Sequence, residues 1–290
     1  MYVLRPVATA LVCIWFLGAS SFAQSYNCTI VSFPIAGSGS YGPVGEGMTA
    51  NDTIVGSYQD TAGSTHAFRR APDGALDTFQ FRGESTWFHD VNDGNVIVGE
   101  FQTSTGTPHG LEIQGNSILA INFPGAQSSI AYGISDGGEI VGAYTQANKQ
   151  HGFVRTTSGQ FTTLDYPGAL STAASDVNDA GTVAGFYTAP DLTGYGFIYA
   201  NDQFTNLAYP GAADTVADAI NDSGTIAGYY FDSSGASHGF VYLNGAFVPV
   251  DVPLSTDVTV NGINNKGNIT GMQTSSGGIY GFLGMSCGIQ

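Results

Sequence analysis

Apolar residues in this chain fall in short runs separated by glycine and by Asn-Asp pairs. In Ala219-Ile220-Asn221-Asp222-Ser223-Gly224-Thr225-Ile226-Ala227-Gly228, apolar positions flank a polar centre, the pattern of two short strands joined by a tight turn. Versions of this segment recur along the chain. The glycines that close them, Gly56, Gly99, Gly142, Gly185, Gly228 and Gly271, stand 43 residues apart at every step. Equal spacing over six units marks a repeat architecture.

One unit parses into four strands. Residues 172–178 read as a first strand, Asp179-Ala180-Gly181 as a turn and residues 182–187 as a second strand. After a variable loop, Tyr195-Gly196-Phe197-Ile198-Tyr199 reads as a third strand, Ala200-Asn201-Asp202 as a turn and residues 203–209 as a fourth, ended by Pro210-Gly211-Ala212. Proline has no amide to give a ladder, so Pro-Gly-Ala ends the outer strand. Four short antiparallel strands in a unit of this length make a propeller blade. The expected fold is therefore all-β, a six-bladed β-propeller of 43-residue four-stranded repeats, forming a single domain over residues 24–290.

The two ends of the repeat array are each incomplete. Cys28-Thr29-Ile30-Val31-Ser32-Phe33-Pro34 has the pattern of the fourth strand Phe161-Thr162-Thr163-Leu164-Asp165-Tyr166-Pro167, with nothing before it to complete a blade. Tyr280-Gly281-Phe282-Leu283 is a third strand with no fourth after it. Pairing the two closes the ring and removes two free sheet edges. By the same alignment Cys287 corresponds to Ser158 and Cys28 to Phe161, which flank a turn read as Gly159-Gln160. Residues flanking such a turn face each other at about 5.5 Å between Cα atoms, so a Cys28–Cys287 disulfide is predicted in place of the missing hairpin.

Composition narrows the setting. Residues 1–23 hold one basic residue, Arg5, then an apolar run from Val7 to Gly18 and the small-residue site Ser21-Phe22-Ala23, which reads as a signal peptide. The apolar run is shorter than the roughly 20 residues a bilayer requires, so no membrane span is expected after the leader is removed. The formal charge is −16, and loss of Arg5 leaves 6 basic against 23 acidic residues, or −17. That field repels nucleic acid and anionic surfaces and is compatible with cations or neutral polymers.

The third-strand position holds His66-Ala67-Phe68, His109-Gly110-Leu111, His151-Gly152-Phe153, Tyr195-Gly196-Phe197, His238-Gly239-Phe240 and Tyr280-Gly281-Phe282. With the recurring G-I-N-x-x-G-x-I-V-G type of segment, these triplets resemble those of the secreted HAF-repeat proteins of bacteria over residues 28–290. The resemblance implies an exported repeat protein, extracellular or periplasmic, and supplies no catalytic residues.

Candidate chemistry is sparse. His66, His109, His151 and His238 fall one per blade, and tyrosine replaces them at Tyr195 and Tyr280, so packing and inter-strand hydrogen bonding is the expectation and no metal is assigned to them. The Asn-Asp pairs invite a Ca²⁺ reading, but asparagine and aspartate cap tight turns, and the glycine after them (Gly181, Gly224), or Asn95 and Asp52 in its place, suits a positive φ. No contiguous calcium loop is spelled out, and no cofactor is expected, with Ca²⁺ the one ion kept open. The position where the repeats disagree most lies ten residues before each closing glycine: Glu46, His89, Tyr132, Ser175, Asp218 and Asn261, all polar and all different. With the N-terminal strand outermost in its blade, this strand is innermost, beside the axis, and small residues nearby, such as Ala131, Ala173, Ala174 and Ala217, fit that crowded place. A ligand site made by Glu46, His89, Tyr132 and Asp218, with Trp87 beside it, follows as the candidate, the alternative being that Trp87 and Phe88 plug the channel. Aromatic stacking with carboxylates suits a sugar. The function expected is a monomeric binding or interaction scaffold for an extracellular glycan or protein. A polysaccharide hydrolase or lyase working in the central channel, and a structural envelope protein, are the alternatives.

Overall fold

The computed structural model describes residues 25–289, and the signal peptide read over residues 1–23 lies outside them. Its strands form six four-stranded antiparallel sheets arranged as a β-propeller. Blades 1 to 5 run over residues 44–79, 86–121, 128–164, 171–207 and 214–249, each sheet in chain order. Blade 6 takes three strands from residues 257–289, and its outermost strand is Tyr26–Phe33, paired antiparallel with Gly278–Ile289. The ring closes as the incomplete ends predict.

The closing glycines are set by steric fit. A Cβ at Gly56, Gly142 or Gly228 would overlap the carbonyl oxygen of the inner-strand residue just before its ladder partner (Val44, Ile130, Val216) and press on the ring of Phe68, Phe153 or Phe240. Those phenylalanines, with Phe197 and Phe282, have no solvent exposure. Each contributes about 1.5–3 kcal/mol by burial, and no larger residue than glycine leaves room for it.

Every inner strand carries a β-bulge at the same place. The register slips between Gly45 and Gly47, Phe88 and Asp90, Ala131 and Gly133, Ala174 and Asp176, Ala217 and Ala219, and Val260 and Gly262. The extra residue is Glu46, His89, Tyr132, Ser175, Asp218 or Asn261, so the divergent polar column is the bulge column. A bulge leaves one residue outside the ladder and re-aims its side chain.

The histidines pack as expected. His66, His151 and His238 stack on Tyr58, Tyr144 and Tyr230 of the neighbouring strand at 5.0–5.3 Å and bond Asp60, Asp165 and Asp232 at 2.8–2.9 Å. His109 stacks on Phe101 and bonds Asn122 at 3.0 Å. The Asn-Asp turns also match, with φ of 73° at Gly181 and 78° at Gly224, and 58° and 68° at Asn95 and Asp52, which take the glycine's place.

The Cys28–Cys287 disulfide is present, but the hairpin logic behind it needs correcting. In blade 3 the outer turn spans residues 156–160, Arg155 pairs with Phe161, and Gly159-Gln160 is not a two-residue turn. Without a connecting turn, Gly278–Ile289 instead continues past the length of the other third strands, and a bulge between Asn27 and Thr29 brings Cys28 against Cys287. Their Cα atoms lie 4.2 Å apart rather than about 5.5 Å, as suits a narrow, bulged pair.

Candidate functional site

Two layers of side chains surround the axis. The lower one is built from the Asn-Asp turns. Each Asn caps its own turn, as Asn221 Oδ1 accepts from the amides of Ser223 and Thr225 at 3.1 and 3.0 Å. Its Nδ2 reaches the next blade, donating to the Asn264 carbonyl at 3.1 Å; Asn92, Asn178 and Asn264 do the same toward Ser135, Asn221 and Thr49. The following residue accepts from the preceding blade: Asp93 from Ala50, Asp136 from Asp93, Asp179 from Gly137, Asp222 from Asp179 and Asn265 from Asp222, at 2.6–2.9 Å. These bonds join neighbouring blades all round the ring. Capping was legible from the sequence; stitching between blades appears only once the 43-residue spacing is closed into a circle.

The same closure gathers carboxylates. Oxygens of Asp136, Asp179 and Asp222 lie within 4.8 Å of one another at the exposed axial mouth. Partial burial, and then the charges of Asp93, Asp179 and Asp222, push the Asp136 carboxyl above its ordinary range.

Above the mouth lies a chamber of about 20 Å³, room for about one water-sized occupant. All six residues of the bulge column, Glu46, His89, Tyr132, Ser175, Asp218 and Asn261, line it. Asp90 and Asp176 separate it from the mouth and line both spaces. Both of these carboxylates are used: Asp90 accepts from the amides of Val91 and Ile134, and Asp176 from those of Val177 and Ile220. They alternate with glycine because a Cβ at Gly47 or Gly133 would collide with Asp90 or Asp176.

The bulge residues are far less satisfied. Asn261 donates to Glu46 Oε2 at 3.1 Å, but Asn261 Oδ1, Ser175 Oγ and His89 Nε2 are buried with no partner. Enclosure pushes the Glu46 carboxyl up to about 7, and it raises Asp218 well above the carboxylate range, with the charge of nearby Glu46 adding to the shift. Burial lowers His89 to about 4 and raises Glu100 to about 7. Their 4.0 Å approach is therefore a contact between neutral groups across pH 5–6 rather than an ion pair. His89 packs edge-on against Tyr132 at 5.0 Å.

The structure thus brings together Glu46, His89, Tyr132 and Asp218 as predicted, but Trp87, partly buried two residues before the bulge, is not among the chamber's lining residues. A sugar ring does not fit a space of this size.

A larger hollow, not anticipated from the sequence, lies between blades 1 and 2. It measures about 580 Å³ and its walls include Arg69, Asp77, Phe79, Asn116, Ile113 and Ile118. At the next seam, the positions of Ile113 and Ile118 hold Arg155 and Phe161: Arg155 bonds Glu112 of blade 2 at 3.4 Å, and Phe161 packs on Phe123 and Phe153. Blades 4 and 5 fill the same positions with Tyr199 and Phe204, and with Tyr242 and Phe247. Blades 3 to 5 thus place an arginine or an aromatic ring where blade 2 has two isoleucines, and that contrast was the signal available in the sequence.

No protein-family model matches the chain, and no curated protein does. Solved structures do. A streptogramin B lyase superposes with a TM-score of 0.52 at 12% identity, over 91% of this chain and 98% of the other. Aleuria aurantia lectin in complex with Fucα1-6GlcNAc gives 0.54 at 12%, over 90% and 96%. TolB from Acinetobacter baumannii gives 0.56 at 14%, over 82% of this chain and 65% of the other. At such identities the likeness is one of fold. The fold is the β-propeller, shared by proteins that bind sugars and proteins that break bonds, so function has to be argued from this chain's own hollows.

Proposed function

We propose that this chain is an exported propeller of the HAF-repeat type that binds a ligand, a glycan by class, in the hollow between blades 1 and 2. The observation that carries the reading is that hollow itself. Its volume is in the range of small-ligand sites, and it joins an apolar wall (Phe79, Ile113, Ile118) to planar polar groups (Arg69, Asp77, Asn116). A pyranose needs both, an apolar face to lie against and fixed donors and acceptors for its hydroxyls. Arg69 and Asp77 are held in a 2.8 Å pair with their side chains 47% and 73% exposed, so both can be engaged from solvent. The lectin with the same fold supports the class without fixing the sugar. Export accords with the disulfide, which persists in oxidising compartments. The enzyme reading has acid groups on the axis but no room beside them for a polymer.

The test is a glycan array probed with the exported chain and with Ile113→Arg/Ile118→Phe, which fills the hollow as blade 3 fills its own. The variant is expected to keep its thermal stability and lose binding about tenfold or more, about 1.4 kcal/mol. An array with no retained glycan, or equal binding by the filled variant, refutes the proposal.

A further inference from the structure

The bulge column is not explained by glycan binding in the outer hollow. Four of its members stand on four consecutive blades: Ser175 on blade 4, Asp218 on blade 5, Asn261 on blade 6 and Glu46 on blade 1. All four line the chamber. The remaining two, His89 and Tyr132, pack against each other on the opposite wall. One side of the chamber is therefore made of oxygen donors.

Two of these oxygens, Ser175 Oγ and Asn261 Oδ1, are buried without a partner. Ser175 is 5% exposed, yet its Oγ makes no hydrogen bond. Asn261 turns its Nδ2 to Glu46 and leaves Oδ1 bare. No hydrogen bond from the described residues steadies the Asp218 carboxylate, whose neighbouring charge is another carboxylate, Glu46. Neither the chamber nor the mouth has a lysine or arginine in its lining. Packing alone would favour apolar side chains here, since buried polar groups without partners are costly. An amide or guanidinium ligand would satisfy the acceptors, but the space admits only something the size of a water molecule.

We infer that the axial chamber binds one hard divalent cation, Ca²⁺ in particular, through Glu46, Asp218, Asn261 Oδ1 and Ser175 Oγ. All four donors are oxygen, the preference of Ca²⁺ and Mg²⁺, and Ca²⁺ accepts the irregular shell that four blades and a water would supply. The aspartates of the mouth, which share the Asp90–Asp176 wall with the chamber, give a cation an acidic route inward. With two carboxylate ligands the affinity should be that of extracellular calcium modules, a Kd on the order of 10⁻⁴–10⁻³ M.

The experiment uses the exported chain stripped with a chelator and titrated by calorimetry with Ca²⁺ and, separately, Mg²⁺, alongside thermal denaturation. One Ca²⁺ per chain is expected, with a Tm that climbs as Ca²⁺ is added. Asp218→Asn should weaken binding about tenfold or more, and Ser175→Ala, which is sterically mild and serves if the first variant misfolds, by a smaller factor. Asp136→Asn/Asp179→Asn/Asp222→Asn should change it by less than about threefold, since those residues act through screened charge. Absence of a saturable site up to about 10 mM Ca²⁺ overturns the proposal. So does unchanged affinity in both Asp218→Asn and Ser175→Ala, or loss of binding in the mouth variant alone.

Discussion

The two layers around the axis are built from adjacent positions of the same strand-and-turn, and they follow opposite rules. At the turns, Asn92, Asn178, Asn221 and Asn264 repeat one residue and one bonding scheme, with the Oδ1 of Asn178, Asn221 and Asn264 accepting two amides and every Nδ2 crossing a seam. Three residues earlier, the bulge column holds six different side chains, three of them with an unpartnered buried atom. Repetition here accompanies saturated bonding, and divergence accompanies unmet bonding. The first layer holds the ring together; the second is free of that duty and available to a ligand.

The sharpest challenge to this division is to ask whether axial stitching alone keeps the ring shut. Cys28→Ser/Cys287→Ser removes the covalent link across 259 residues. The chain-entropy model gives such a loop a loss of roughly 5–6 kcal/mol. Urea unfolding should show a loss of that size with the native fold retained in the absence of denaturant. A change under about 1 kcal/mol would mean that the stitches and the Tyr26–Phe33 pairing already close the ring unaided.

A single stitch comes next. Asn221→Ala leaves the amides of Ser223 and Thr225 and the Asn264 carbonyl without their partner, in a buried setting. The expected loss is about 2–4 kcal/mol by chemical denaturation, from three backbone bonds at about 1 kcal/mol each and some penalty for buried groups left unpaired; the Ser223 hydroxyl, which also donates to Asn221 Oδ1, keeps Thr225 Oγ1 as a partner. A loss under about 0.5 kcal/mol would show that water replaces the side chain and that the repeated layer is not structural.

The ring was legible in the sequence because its causes are local. Gly228 has to be glycine against Phe240, and its counterpart recurs in every repeat; the positive φ at Gly224 and the proline that ends the outer strand leave their marks in most of them. The bulge column was legible as disagreement at Glu46, His89, Tyr132, Ser175, Asp218 and Asn261, but its geometry was not. Nothing local distinguishes a bulge from a regular strand position, and how much space remains on the axis depends on all six blades at once. Trp87 has the chemistry of a sugar platform, but the bulge between Phe88 and Asp90 breaks the strand alternation that would otherwise relate its direction to that of His89. The seam hollow was missed for a related reason: Ile113 and Ile118 are unremarkable strand residues until their places are compared with Arg155 and Phe161 across an interface.

The mildest test probes the upper layer through pH. Burial raises Glu46 to about 7, whereas an unfolded glutamate titrates near 4.3. Between those values the folded state holds a proton that the unfolded state has released. Stability from this group is thus fully present below about pH 4 and is lost as pH rises through about 7. Glu46→Gln mimics the protonated form at every pH and also keeps an oxygen toward Asn261. In chelator, wild type and variant should be about equally stable near pH 4, and by pH 8 the variant should be ahead by about 2 kcal/mol, an order-of-magnitude figure for a carboxyl that still faces a small wet space. Asn221→Ala, by contrast, should cost the same at both pH values, since no titrating group takes part in its bonds. If the Glu46→Gln curve runs parallel to wild type across this range, the chamber carboxylate is as well solvated as a surface one, and the contrast between a saturated layer and an unsatisfied one fails at its most acidic residue. If the gap opens in chelator and closes on adding Ca²⁺, the wild-type carboxylate has gained the counter-charge that the ring itself does not supply.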